Sequence, residues 1–211
     1  MKKVLFIKAN PKASAHSFSL DASENFIKTY QEINPTDEVV ELDLYKLDIP
    51  FIDEDVFNGW GKLGEGVDFS DLTDQEQYKV GTINQFTEQF MGADKYVFAT
   101  PLWNFSLPPK MKVYIDTLMV AGKTFKYTAE GPVGLLNNKK ALHVHASGGI
   151  YSEGPAKAME HGDSYLKTVL GFMGVMDIES VLLEGTNMAT DGGASIKTDA
   201  AEKLEQLVKS F

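Results

Sequence analysis

Trp103, Asn104 and Phe105 stand side by side in "TPLWNFSLPP", directly after the apolar run "KYVFAT". A loop leaving a strand is ordinarily polar and exposed, so Leu102, Trp103 and Phe105 need a partner there. That partner is either the protein's own core or something flat that it binds. A second cluster fills "NPKASAHSFS" (10–19), where Asn10, Ser14, His16, Ser17 and Ser19 precede a stretch with helical spacing. Ser17 is a good N-cap type, but capping accounts for only one or two of these residues. Free N–H groups at a helix start, with hydroxyls beside them, make an anion site. A third segment, "ASGGIYSEGP" (146–155), carries Gly148 and Gly149, which let backbone approach a ligand closely. Taken alone, it reads equally as a plain turn.

Composition narrows the chemistry. The 211 residues include no cysteine, which excludes disulfides, thiol nucleophiles and thiolate metal sites. All 20 cationic side chains are lysine, so the planar guanidinium fork is missing and phosphate must be held by backbone N–H, hydroxyl or ammonium groups. The 10–19 loop lacks both G-x-x-x-x-G-K-[ST] and G-x-G-x-x-G, which favours a phosphate monoester over a nucleoside triphosphate or a dinucleotide. A net charge of −10 argues against nucleic acid. His143 and His145 alternate and share a face; a metal pair is conceivable, but no third ligand stands out and structural histidine is the favoured reading. "HASGG" lacks the first glycine of the G-x-S-x-G nucleophile elbow.

These loops need elements to position them. Apolar runs recur at 3–9, 38–44, 95–100, 141–147 and 178–185, separated by stretches of helical period. Phe18, Ala22, Phe26 and Tyr30 form one helical face; Val80, Ile83, Phe86 and Phe90 form another. Alternating strands and helices imply α/β architecture: a flavodoxin-like, doubly wound, five-stranded parallel sheet of order 2-1-3-4-5 with helices on both faces. Ligands of such sheets collect outside the carboxyl ends of the strands at the order reversal. The three loops follow strands one, three and four, which is that place. One domain over 1–211 is expected, with insertions at about 48–75 and 122–140, the second read as a hairpin. No apolar run approaches the roughly 20 residues needed to cross a bilayer, and with no export signal the cytoplasm is the expected compartment. FMN, a flat ring with a single phosphate on a chain, would give all three loops something to hold.

"PLWNFSLPPKMKVYID", "GKTFKYTAEGPVGLL", "GGIYSEGP" and "LGFMGV" resemble the FMN-dependent NADH azoreductases and quinone reductases, and the likeness runs in order over essentially the whole chain. The resemblance implies a homodimer with one FMN per subunit and NADH as co-substrate. It implies that Asn10, Ser17, Phe18 and Ser19 hold the phosphate. Leu102, Trp103, Asn104 and Phe105 would bracket the ring and ribityl chain, and Ala146, Ser147, Gly148 and Gly149 would meet the pyrimidine side. Phe125 and Phe172 match aromatics that line the substrate space. The implied reaction is ping-pong reduction of quinones and aromatic azo compounds; flavin N5 carries the chemistry, and no side chain is an essential acid or base. The family often has arginine where this chain has Ser147, which puts redox potential and FMN affinity in question. With no arginine to meet a 2′-phosphate, NADH is favoured over NADPH, Lys62 and Lys123 being the cations that could serve instead. The alternative is a flavodoxin-type electron carrier, against which the long insertions stand.

Overall fold

The computed structural model describes residues 1–211. Its strands are β1 (Lys3–Lys8), β2 (Glu38–Asp43), β3 (Lys95–Pro101), β4 (Phe125–Thr128), β5 (Gly131–Gly134), β6 (Lys140–Ala146) and β7 (Asp177–Leu183). Five of them form a parallel sheet of order β2-β1-β3-β6-β7, while β4 and β5 pair only with each other. With that hairpin set aside, the order is the expected 2-1-3-4-5. Because βαβ crossovers cover both faces, the inner strands are apolar throughout rather than alternating: β1, β3 and β6 are buried along nearly their whole length.

Helices α1 (Phe18–Ile33) and α6 (Ala194–Leu207) cover one face; α3 (Asp74–Met91), α4 (Pro109–Leu118) and α5 (Asp163–Phe172) cover the other. On the first face Phe26, Ile27 and Tyr30 of α1 meet Val4, Phe6, Val97, Ala99 and Leu142. On the second, Phe90 stacks on Tyr96, with Tyr114 edge-on to Phe90 and Phe98 tilted against Tyr96. Several helix starts are fixed by a local acceptor. Ser17 Oγ accepts from Leu20 N, Thr73 and Glu76 form a capping box, and the Glu160 carboxylate accepts from the N–H groups of Gly162, Asp163 and Ser164.

The 48–75 insertion is not a plain loop. It contains α2 (Glu54–Gly64), capped by Asp53 and laid against α3 by Lys79 to Asp53 and Asp55 and by Lys62 to Glu76. Gly59, Gly61 and Gly64 hid the helix, since glycine disfavours a helix interior. Gly59 is there for packing: a Cβ would sit 3.0 Å from Val80 Cγ2. These glycines spell G-x-G-x-x-G, but inside a helix rather than between a strand and a helix, so the phosphate-binding context is missing. The second insertion is the expected hairpin, closed by Gly131 at φ 118°.

Candidate active site

β1, β3 and β6 are neighbours in one register: Lys8 faces Ala99 and Pro101 faces Ala146. At the usual strand spacing, their exits lie within about 10 Å of each other. Ala9 N donates to Ala99 O at 3.0 Å and Leu102 N to Ala146 O at 2.7 Å, so the three loops leave the sheet tied edge to edge. The sequence expectation of one shared rim for residues 10–19, 102–106 and 146–155 therefore holds in the backbone.

At the first loop, the hydrogen-bond pattern decides which groups are free. Ser17 Oγ accepts from Asn10 Nδ2 (2.9 Å) and from Leu20 N (3.3 Å), and Ser19 Oγ lies 3.4 Å away. A hydroxyl that accepts twice keeps its own hydrogen to donate. Asn10, Ser17 and Ser19 are all buried, so the cradle is preformed rather than assembled on binding. Ser14 is not part of it, because its hydroxyl donates to Glu24, which the nearly buried Lys8 also holds. The Phe18 side chain is engaged by the start of α6. It packs on Gly193, where a Cβ would meet the ring at 2.5 Å, so only the Phe18 backbone N–H, at the first turn of α1, is left for an anion.

The second loop answers the question of the aromatics. Trp103 and Ser106 exchange both backbone hydrogen bonds (2.9 and 3.0 Å), with Asn104 at φ 48° and Phe105 at φ 68°. This is a two-residue turn in which both central residues are left-handed. Asn tolerates that region but a phenylalanine rarely does. Trp103 stays 36% exposed and Phe105 45%, so neither is core. Each touches one aromatic edge-on, Trp103 meeting Tyr45 and Phe105 meeting Tyr151. The turn's own bonds use the N–H groups of Trp103 and Ser106; those of Asn104 and Phe105 are left for another acceptor. His161 N donates to Phe105 O at 2.8 Å and pins the turn to the start of α5.

In the third loop, Gly148 lies under Asn187: a Cβ would lie 2.4 Å from Asn187 Nδ2, so any side chain there must displace that amide. The loop is cross-tied to β7's exit by Thr186 N to Ser147 O and Asn187 N to Gly148 O. Ser147 is buried and its hydroxyl donates to Gly149 O at 2.8 Å, which braces the loop. Beyond it the Glu184 carboxylate accepts from Tyr151 N and Ser152 N.

Phe125 and Phe172 are not at this rim. They pack together at 4.9 Å between ring centroids. Phe172 ends α5, about 15 Å along the helix from the rim where α5 begins. In one chain they lie at the opposite edge of the sheet. Lys62 and Lys123 are engaged too, Lys62 by Glu76 and Lys123 by Asn84 and Glu88, so neither is a free cation for a 2′-phosphate. His143 and His145 are linked to Thr100 and Asp163 instead of presenting a metal-ligand pair. Sequence reasoning missed Tyr45, Asn187 and Glu184. Tyr151 lay inside the "GGIYSEGP" signature without being singled out.

The rim fits a flat ring carrying one phosphate. It has buried hydroxyl and helix-start donors at one end, exposed aromatics with free turn N–H groups in the middle, and a glycine loop packed under Asn187 and Tyr151 at the other. The comparisons agree. A family model described as flavodoxin-like fold matches residues 2–208. An FMN-dependent NADH:quinone oxidoreductase of Bacillus pumilus is 52% identical over 211 residues, and one of Bacillus subtilis 51%, each covering the whole of both chains. Among solved structures, an azoreductase from Bacillus anthracis matches at TM-score 0.93 and 43% identity over the whole of both chains. An FMN-dependent NADH-azoreductase from Bacillus anthracis, solved with FMN, matches at 0.90 and 34% over 99% of this chain and all of that one. The chain belongs to the flavodoxin-like fold family and, within it, to the FMN-dependent NADH:quinone oxidoreductases and azoreductases.

Proposed function

We propose that the chain is an FMN-dependent oxidoreductase that takes hydride from NADH and reduces quinones and aromatic azo compounds in two-electron, ping-pong turnover. The observation that carries this reading is the left-handed Asn104–Phe105 pair, a strained turn held where exposed aromatics and free N–H groups face one rim. Strain of this kind persists where function uses it. Bound FMN supplies the redox chemistry, and the chain supplies position. The Ser17 hydroxyl, with Ser19 and the N–H groups of Phe18 and Ser19 at the positive end of α1, holds the phosphate. Leu102, Trp103, Asn104 and Phe105 hold one side of the ring, and Ala146, Gly148 and Gly149 admit its other edge. Ser147 acts by fixing that loop.

The site is completed by a second copy. Phe125 and Phe172 can line a substrate space only if the hairpin edge of one chain meets the rim of another, and Tyr127 and Val133 are exposed on that hairpin. We therefore assign the working form as a homodimer. Purified protein is expected to be yellow, to release FMN on heating, and to oxidise NADH continuously when menadione is present. A single bleaching by NADH without turnover would indicate an electron carrier instead.

A further inference from the structure

Beneath Leu102 runs a buried chain of hydrogen bonds to which the site described above gives no part. Ser180 Oγ donates to Asp163 Oδ1 (2.6 Å), which also meets His143 Nδ1 (2.7 Å). His143 Nε2 meets Thr100 Oγ1 (2.8 Å), and Thr100 Oγ1 meets His145 Nδ1 (2.7 Å). The chain ends at His145 Nε2, which is buried with no hydrogen-bond partner, 3.8 Å from Glu160 Oε1. His145 is 3% exposed. A Cβ on Gly162 would lie 2.9 Å from its ring and 3.0 Å from Leu102 Cδ1, so the chain's end touches the start of α5 and the root of the aromatic turn.

Donor counting fixes the direction. Asp163 is ionised: burial pushes its carboxyl up, but His143, Lys167 and Ser180 hold it well below the ordinary range. It therefore accepts from His143 Nδ1–H. Neutral His143 must then accept the Thr100 hydroxyl at Nε2, and Thr100 must accept from His145 Nδ1–H, which leaves His145 Nε2 as a bare lone pair beside a carboxylate. Adding one proton allows a second arrangement that also satisfies every link. A proton from water arrives through Glu160 and forms Nε2–H on His145. The His145 Nδ1 proton passes to Thr100, and the Thr100 hydroxyl proton passes to His143 Nε2. The charge then rests on His143 against Asp163, while His145 Nε2–H faces Glu160. Only N–H and O–H bonds form and break, and closing 3.8 Å to bonding distance takes less than about 1 Å of movement.

We propose that Asp163, His143, Thr100 and His145 form a store for one proton, loaded through Glu160, that answers charge arriving at the rim. Reduction of a quinone by NADH takes one proton from water along with each hydride, and negative charge at the rim raises the affinity of a buried neighbour for that proton. The groups facing the two imidazoles are Asp163, Glu160 and, through Asp163, Lys167. Burial, with His143's charge beside it, holds His145 down to about 3, so charge does not settle on His145 itself. His145 touches no substrate and is a positioning residue.

The test is nitrogen NMR of the histidine rings in the FMN-loaded chain, first from about pH 8 to about pH 5 and then on reduction at fixed pH. Both rings are expected to change together in each arm. Thr100→Val should uncouple them, and Thr100→Ser should restore the coupling. Independent titration, or a Thr100→Val protein indistinguishable from wild type, overturns the store. A response to pH but none to reduction overturns its link to the reaction. That link rests on the ring site proposed above, whose own failure would show separately as protein that binds no FMN. Should Thr100→Val not fold, the wild-type pair alone decides, since an unchanging His145 ring in both arms overturns the proposal.

Discussion

Phe105 is a bulky residue in the left-handed region, φ 68°, with 45% of its surface exposed. That conformation costs on the order of 1–2 kcal/mol, and its one aromatic neighbour, Tyr151, returns little of this. Phe105→Gly is therefore expected to raise the melting temperature of the flavin-free protein by a few degrees, yet to weaken FMN binding about tenfold. Calorimetry and flavin titration on the same variant check both signs. His145 gives a second residue-scale prediction. Burial, then His143, depresses its pKa to about 3. The unfolded chain therefore binds a proton below about pH 6.5 that the fold refuses until about pH 3. Stability from this group is full above pH 6.5 and falls by about 1.4 kcal/mol per pH unit below it. Denaturant titrations should show wild type losing ground against His145→Gln at that slope as pH falls. The residue types of the site were legible because hydroxyls, aromatics and glycines stood at strand exits. The direction of Phe18 and the engagement of Ser14, Ser147, Lys62 and Lys123 were not. Except for Ser147, whose partner is Gly149 two residues on, those depend on partners further off along the chain, such as Gly193, Glu24, Glu76 and Glu88.

The strands and long helices could be read because their periods and apolar runs agree with the buried faces. α2 could not, since three glycines mask its period and its stability comes from α3 through Lys62, Lys79 and Gly59. The hairpin was legible from its turn residues, but its docking was not. Gly134 lies against α5's end so closely that a Cβ would sit 2.2 Å from Gly174 N, and Leu136 N donates to Met173 O. A clash with backbone cannot be relieved by rotating a side chain. Gly134→Ala is expected to leave the five-stranded sheet folded while displacing β4–β5. Hydrogen exchange should quicken over 125–136 and stay slow in β1, β3 and β6.

At the scale of the molecule, the two ends of the sheet carry different equipment. The loops that suit a phosphate and a ring leave one edge; the aromatic pair Phe125 and Phe172 closes the other. The sequence put both in a single site because family likeness carries residues without saying which copy supplies them. The exposed Phe51, Phe57 and Tyr127 suit contact between copies, and burying them accords with a closed two-fold pair. Sedimentation should find a dimer, shifted toward monomer by Tyr127→Asp.

That separation of ends has a genetic consequence. Asn104→Pro forbids the left-handed turn, and Gly134→Ala dislodges the hairpin; each alone is expected to abolish turnover. Expressed together, the two damaged chains should complement each other. A mixed pair would bring one sound rim and one sound hairpin to the same side, leaving about one competent centre per pair.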